Sequence, residues 1–351
     1  MSSTIQFQGA SCPAPLRDYP HVIMGHGGGG RLSEELIEHV FLPAFGNSNS
    51  VLNDSTSLLL PGQRIAVSTD SFVVQPLFFP GGSIGDLAVN GTVNDLAMSG
   101  ARPLYLTAGF ILEEGLPIKD LTQIVTDMAI AAKEAGVSIV AGDTKVVERG
   151  HGDGCYINTT GIGVLPSNKV LSVDQATPSD VVLISGTIGD HAMAIMGVRE
   201  GLEFDATIRS DTASLYSLAR NLLESCPNIR LMRDPTRGGL ATTLNEIARA
   251  SKCGIELDES AIPVASEVRS ACEFLGLDPM HAANEGKLVA VVPADGAAIA
   301  LESLLQHPLG KSAAIIGRVI QDQHNLVVAK TVMGTNRIVP MPIGEQLPRI
   351  C

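Results

Sequence analysis

Tryptophan is absent from this chain, and aromatic residues make up only 4% of it. Charged residues are also few, at 17%, and acids outnumber bases to leave a net charge of −13. That balance argues against nucleic acid as a partner and against an anionic membrane surface. No apolar run reaches the roughly 18 residues a membrane helix needs, so no span is expected. The six cysteines (Cys12, Cys155, Cys226, Cys253, Cys272, Cys351) show no CxxC spacing. They read as reduced thiols of a cytoplasmic protein, not as a zinc site or a disulfide framework. Met1 to Pro20 has neither a basic start nor an apolar core, so no secretory signal is expected there. The one glycine run is not followed by Gly-Lys-Ser/Thr, which excludes a Walker loop.

What is present is a chain of 351 residues, 45% hydrophobic, with 36 glycines. That length is enough for two domains, each with its own core. Strands and helices mix without strict βαβ alternation, which predicts two α+β domains instead of one doubly wound sheet. The expected layout is a loose lead-in over 1–21, a first domain over 22–166, a second over 167–333 and a tail over 334–351. In the first domain, strands are expected over Ile65–Thr69, Tyr105–Phe110, Val137–Ala141 and Ile157–Val164. Leu121, Ile124, Val125, Met128 and Ala132 recur at 3 and 4, predicting an amphipathic helix that closes near Gly136. The second domain opens with the strand Val181–Ser185. Helical patterns follow at Leu215–Leu223 and Leu240–Ala248, then strands at Leu288–Val292 and Ala313–Ile320.

The candidate chemistry lies in acids set among small apolar residues. A buried helix starting near Ser83 carries Asn94 and Asp95, and a buried carboxylate needs a cation or several donors. A carboxylate that caps nearby backbone is the simpler reading. Asp70 and Asp143 each end an apolar strand, and Asp54 precedes the first. Together Asp70, Asp95 and Asp143 suggest oxygen ligands for Mg²⁺, which commonly shares its shell with phosphates. The run Gly25–Gly30, with His26 and Gly28, precedes a helical pattern and fits a phosphate cover or a flexible linker equally. Arg233-Asp234-Pro235-Thr236-Arg237-Gly238-Gly239 fits a second anion-binding turn, or an ordinary cap with exposed arginines. Glu285, in His281–Lys287, could be a positioned base or the acid of a surface loop, and the residues alone favour the loop.

The tail is punctuated by Pro340, Pro342 and Pro348, which disfavours a helix or central strand and favours a polyproline-like path. A cysteine on such an arm, Cys351, is placed to carry a covalent group between sites. A frayed end that happens to carry a thiol accounts for the tail equally well.

Several runs match a known family: Thr69-Asp70-Ser71-Phe72, Phe78-Phe79-Pro80-Gly81-Gly82, Val89 through Met98, Gly109 through Gly115, Ala141 through Val147, Ile157 through Gly163, Arg233 through Gly239 and the closing Pro348-Arg349-Ile350-Cys351. From about residue 22 onward the chain closely resembles the hydrogenase maturation factor HypE family, of the PurM-like superfamily that also holds selenophosphate synthetase and thiamine monophosphate kinase. The resemblance implies two α/β domains, a homodimer whose N-terminal sheets join in a barrel, and ATP with Mg²⁺ near that interface. It implies ATP contacts at His26, Gly28, Asn94, Asp143 and Asp234, and Mg²⁺ at Asp70, Asp95, Asp143 and Asp54. It further implies ATP-dependent dehydration of a carboxamide on Cys351 to a thiocyanate, assisted by Lys145 and Glu285. A HypF-type carbamoyltransferase would load the cysteine and a HypC–HypD complex would accept the cyano group. Two other readings stay open: a superfamily enzyme acting on a free small molecule, and a non-catalytic carrier whose tail docks in a partner.

Overall fold

The computed structural model describes residues 30–36, 38, 56–60, 63–166, 171–201, 208–344, 347 and 349–351. The first domain is built on a five-stranded sheet ordered β1-β2-β7-β5-β6, from β1 (Thr56–Leu60), β2 (Gln63–Phe72), β5 (Arg102–Glu113), β6 (Ser138–Val147) and β7 (Cys155–Val164). A small hairpin, β3 (Phe78–Phe79) with β4 (Gly82–Ser83), leads into the first long helix. β5 and β6 pair in parallel and the other neighbours are antiparallel. The parallel pair requires a crossover, which the helix Ile118–Ala135 supplies. Its apolar stripe is buried at Ile124 and Met128. It ends where Gly136 takes a left-handed φ of 71° and returns its N–H to the last turn.

The helix Ile84–Met98 lies across the inner face of the sheet, against β2 and β7. Ser83 caps it, and Asp86 completes a capping box through the Ser83 backbone. Most of its side chains are small because the sheet lies so near. A Cβ on Gly91 would sit 2.9 Å from the Phe72 ring. Phe72, Leu87, Leu96, Leu106 and Ile157 are fully buried in this layer, each contributing about 1.5–3 kcal/mol. Inner-face residues alternate with outer-face ones along β7, as period 2 requires.

The second domain holds a seven-stranded sheet ordered β14-β13-β10-β12-β8-β11-β9. Its strands are β8 (Val181–Ile184), β9 (Leu231–Arg233), β10 (Gly254–Asp258), β11 (Val289–Val292), β12 (Ala314–Ile320), β13 (Val327–Lys330) and β14 (Asn336–Ile338). Val182 and Ile184 face one core with the helix Gly239–Ala250, whereas Leu183 faces another with the helices Tyr216–Ser225 and Ala297–Gln306. Both faces are therefore covered, and β11 reads as an unbroken apolar run. The expected plan of two α+β domains is the fold that forms.

The two domains share a core. Ala192, Met193 and Ile195 from the helix Asp190–Arg199, and Val268 and Cys272 from Ser266–Leu275, pack with Leu87, Ile124 and Met128 of the first domain. Ile350, 3% exposed, belongs to the same cluster. The tail therefore ends in a docked segment, where its prolines had suggested an extended arm. β14 adds to the sheet edge beside β13, and the Pro342 and Ile343 carbonyls accept from the Arg31 and Leu32 amides.

Candidate functional site

Strand β2 carries Asp70 on its inner side, facing the helix Ile84–Met98. Asp95 points back at the same strand and accepts from Ser68 Oγ at 2.5 Å. A Cβ on Gly91, one helical turn before Asp95, would lie 3.7 Å from Asp70 Oδ2. Asp70 and Asp95 thus share one flank of one helix. Burial pushes the Asp70 carboxyl upward, and the Arg237 guanidinium pulls it back.

Glu285 is 3% exposed, which corrects the surface-loop reading. Its segment is gripped from three directions. Asp211 accepts from the backbone N–H groups of Glu285 and Gly286 at 3.1 and 3.2 Å, and from Lys287 Nζ at 3.0 Å. Asn94 Nδ2 donates to the Glu285 carbonyl at 3.3 Å. Asn284 receives the Gly189 amide and donates to the Pro235 carbonyl. Among the described residues Glu285 Oε1 has no hydrogen-bond partner. Burial raises the Glu285 carboxyl well above the ordinary range; Asp70, Asp211 and Asp234 push the same way, and Arg237 opposes them. Asp70, Asp234, Arg237 and Glu285 therefore form one electrostatic cluster at the junction of the domains.

Asn94 is 1% exposed, and its amide is engaged with backbone. Nδ2 also donates to the Ala213 carbonyl at 3.1 Å, and Oδ1 accepts from the Leu215 amide at 2.7 Å. Asp143 and Lys145 lie elsewhere. Asp143 pairs across the sheet with Gly109, in the row of Asn158 and Ser71, on the outer face opposite Asp70. Their side chains are about three-quarters exposed and 3.7 Å apart, a pair that contributes little to stability. On that face Asn158 donates to Ser71 Oγ and the Asp70 carbonyl, both at 2.9 Å. His26, Gly28 and Asp54 lie outside the described residues.

The structure adds residues that the sequence did not signal. Asp211 sits in a short polar stretch with no periodicity to mark it. His191, fully buried, donates from Nε2 to the Ile350 carbonyl at 2.9 Å and meets Ser210 Oγ through Nδ1 at 2.7 Å. Its one sequence signal is an imidazole between Asp190 and the apolar run Ala192–Met196. The terminal segment itself pairs with the stretch after β2: Val73 N–H donates to the main-chain oxygen of Cys351 at 3.1 Å, and Gln75 N–H to the Arg349 carbonyl at 3.2 Å. The thiol-bearing residue is therefore seated three residues beyond Asp70.

No group of three or more His, Cys, Asp or Glu among the described residues is arranged to hold a metal ion. The Asp70–Asp95 pair nevertheless supplies oxygen donors alone. That suits a hard cation completing its shell with water and phosphate.

Family models for the AIR synthase related protein match here, the N-terminal domain over residues 53–165 and the C-terminal domain over 177–330. The chain is 56% identical over 331 residues to carbamoyl dehydratase HypE of Azotobacter vinelandii, covering 94% of this chain and 97% of that one. Among solved structures, a HypE–HypF complex superposes with a TM-score of 0.83 at 55% identity, over 88% of this chain and 99% of that chain. A hydrogenase maturation protein HypE in complex with ATP gives 0.80 at 50% identity, over 93% and 98%. With both domain models matched and more than half of its residues shared with a full-length relative, the chain belongs to the AIR synthase related family, in its carbamoyl dehydratase HypE branch.

Proposed function

We propose that this chain uses ATP to dehydrate an S-carboxamide on its own Cys351 to a thiocyanate, the cyano source for a hydrogenase iron. The observation that carries the reading is the seat of Cys351, whose main-chain oxygen accepts from the Val73 N–H just past the strand that carries Asp70. A free-substrate enzyme has no use for a thiol held there, and a passive carrier has no use for a buried glutamate.

The carboxamide oxygen on Cys351 attacks the γ-phosphorus of ATP, forming an O–P bond and releasing ADP. The carbon–oxygen bond then breaks with phosphate as leaving group. The two N–H protons are lost over the sequence and C≡N remains on sulfur. Glu285 receives a proton at its unpartnered Oε1; an elevated pKa suits a group that takes up and later releases one. Asp70 and Asp95 are the residues that would hold Mg²⁺. Bound there, the cation would neutralise phosphate charge.

Lys145 and Asp143 face away from this cluster within one chain, so their roles as charge stabiliser and nucleotide contact belong to a homodimer. The outer face and the β6 edge support such a dimer. Ile139, Val140 and Val146 of β6 are exposed, as are Tyr105, Ile111 and Ile162 on neighbouring strands. Among the described residues β6 is a sheet edge, and such an edge beside an apolar face is a surface that pairing covers.

A HypF-type carbamoyltransferase is the donor in this reading, as the HypE–HypF complex of the relative suggests. A HypC–HypD complex is the acceptor, and the cytoplasm is the compartment. None of the described cysteines forms a disulfide, and no helix among the described residues is long and apolar enough to cross a membrane. Weighing the Cys351 peptide after incubation with carbamoyl donor and ATP tests the reading: a carboxamide is gained, then one water is lost.

A further inference from the structure

The Val73 amide holds Cys351, and further contacts gather at Arg349 and Ile350. Arg349 adopts a left-handed φ of 55°, a conformation that non-glycine residues keep only where their surroundings impose it. Its guanidinium reaches Asp153 at 2.8 Å. Arg199 bridges the Gln75 and Arg349 carbonyls, tying the tail to the strand it pairs with. The turn at Arg349 sends Ile350 into the shared core and its carbonyl onto the buried Nε2 of His191.

His191 has a second contact, and it leads to the reactive cluster. An Nε2 that donates to a carbonyl leaves Nδ1 of a neutral ring to accept from Ser210 Oγ. Burial favours that neutral ring. The Ser210 N–H donates to the Pro80 carbonyl at 2.7 Å, fixing the segment on the hairpin before the helix Ile84–Met98. The next residue is Asp211, whose carboxylate holds the Glu285 and Gly286 amides. A continuous path of hydrogen bonds and covalent chain thus runs from the Ile350 carbonyl through His191 and Ser210–Asp211 to the backbone of Glu285.

We infer that His191 is the positioning residue for the terminal dipeptide, seating Ile350–Cys351 and linking its arrival to the segment that carries Glu285. The consequence for catalysis rests on the proposed dehydration, whereas the seating does not. His191 touches no reacting atom; it selects the carbonyl next to the cysteine and sets its register on Val73. Arg199 and Asp153 tether the tail at Arg349, and His191 fixes the next carbonyl, that of Ile350.

Hydrogen exchange on the full-length protein tests the seating through the 72–77 peptide, because Val73 and Gln75 donate their amides to the tail. His191→Phe keeps the apolar volume and removes the donor. Exchange at Val73 should quicken by about tenfold, the scale of one buried hydrogen bond, while Gln75, bonded to the tethered Arg349 carbonyl, stays protected. ATP affinity should be unchanged. His191→Gln, whose amide can donate at the Nε2 position, should restore protection. Wild-type protection in His191→Phe, or no rescue by His191→Gln, would overturn the inference. Nitrogen NMR of the imidazole avoids any His191 variant: its Nε2–H should be protected in the intact chain and exchange rapidly once residues 349–351 are removed. An identical signal in both would also overturn it. In single-turnover assays His191→Phe should slow dehydration about tenfold at saturating ATP, as lost positioning of that size predicts. If the intact wild-type chain makes no thiocyanate, the dehydratase reading fails while the exchange experiments still decide the seating.

Discussion

Asn94 of the first domain holds the main chain of Glu285 in the second, donating from Nδ2 to its carbonyl at 3.3 Å. The same amide secures Ala213 and Leu215. One buried side chain thus joins the helix that carries Asp95 to the segment that carries Glu285.

Removing that amide leaves buried backbone groups without partners. Asn94→Ala should therefore lower unfolding free energy by roughly 2–4 kcal/mol, the cost of orphaning two or three such groups. Urea denaturation with the same m-value as wild type would measure it. A change below about 0.5 kcal/mol, within the range of ordinary surface substitutions, would contradict the clamp.

Glu285 gives a pH signature whose sign is fixed by its elevated pKa. A raised carboxyl binds more protons folded than unfolded, so its stabilising contribution is complete below the ordinary glutamate range. It is lost as pH rises from that range through the folded value. Glu285→Gln has no charge to bury. It should gain stability over wild type as pH increases across that window, and the difference should shrink in acid. Thermal melts across the window check this. The same variant should dehydrate the tail about 10²–10⁴-fold more slowly, the usual worth of a general base, with ATP still bound.

Asp95→Asn keeps the Ser68 contact in shape but removes half of the proposed cation site. Nucleotide binding should lose its Mg²⁺ dependence, read as calorimetric titrations of ATP that coincide with and without the metal. Wild-type Mg²⁺ enhancement in the variant would rule Asp95 out as a ligand.

The β6 edge supplies a separate test. Val140 and Ile139 are 58% and 40% exposed, and a charge there should oppose pairing of two copies. Sedimentation of Val140→Asp should give a monomer where wild type gives a dimer, with the melting temperature little changed. A monomeric wild type would remove the dimer from the account.

Much of the frame was legible in advance because periodicity reports burial. The helix Ile118–Ala135 and the strands β5, β7, β8, β11 and β12 followed from apolar spacing. Strand β6 was expected only as far as Ala141. It runs on to Val147 because edge pairing with β5 extends through polar residues that carry no hydrophobic signal. The first domain's acids were visible as charges among small residues, but their faces were not. Asp70 and Asp143 both end apolar runs, and only the sheet register puts them on opposite sides. Glu285 and Asp211 were obscure for the opposite reason. Each lies in an irregular segment buried by the other domain, and no local pattern encodes a neighbour so distant in sequence. The docked tail belongs with them, since three prolines describe its backbone and not what it rests on.

The central claim is tested most directly by the mass of the peptide ending in Cys351. Full-length chain is carbamoylated by its donor, freed of nucleotide, then given ATP and Mg²⁺. The account predicts a peptide that first carries one carboxamide and then, after ATP and Mg²⁺ are added, weighs one water less while one phosphate appears in solution. A carboxamide that persists through ATP hydrolysis, or that forms on any residue but Cys351, would contradict it.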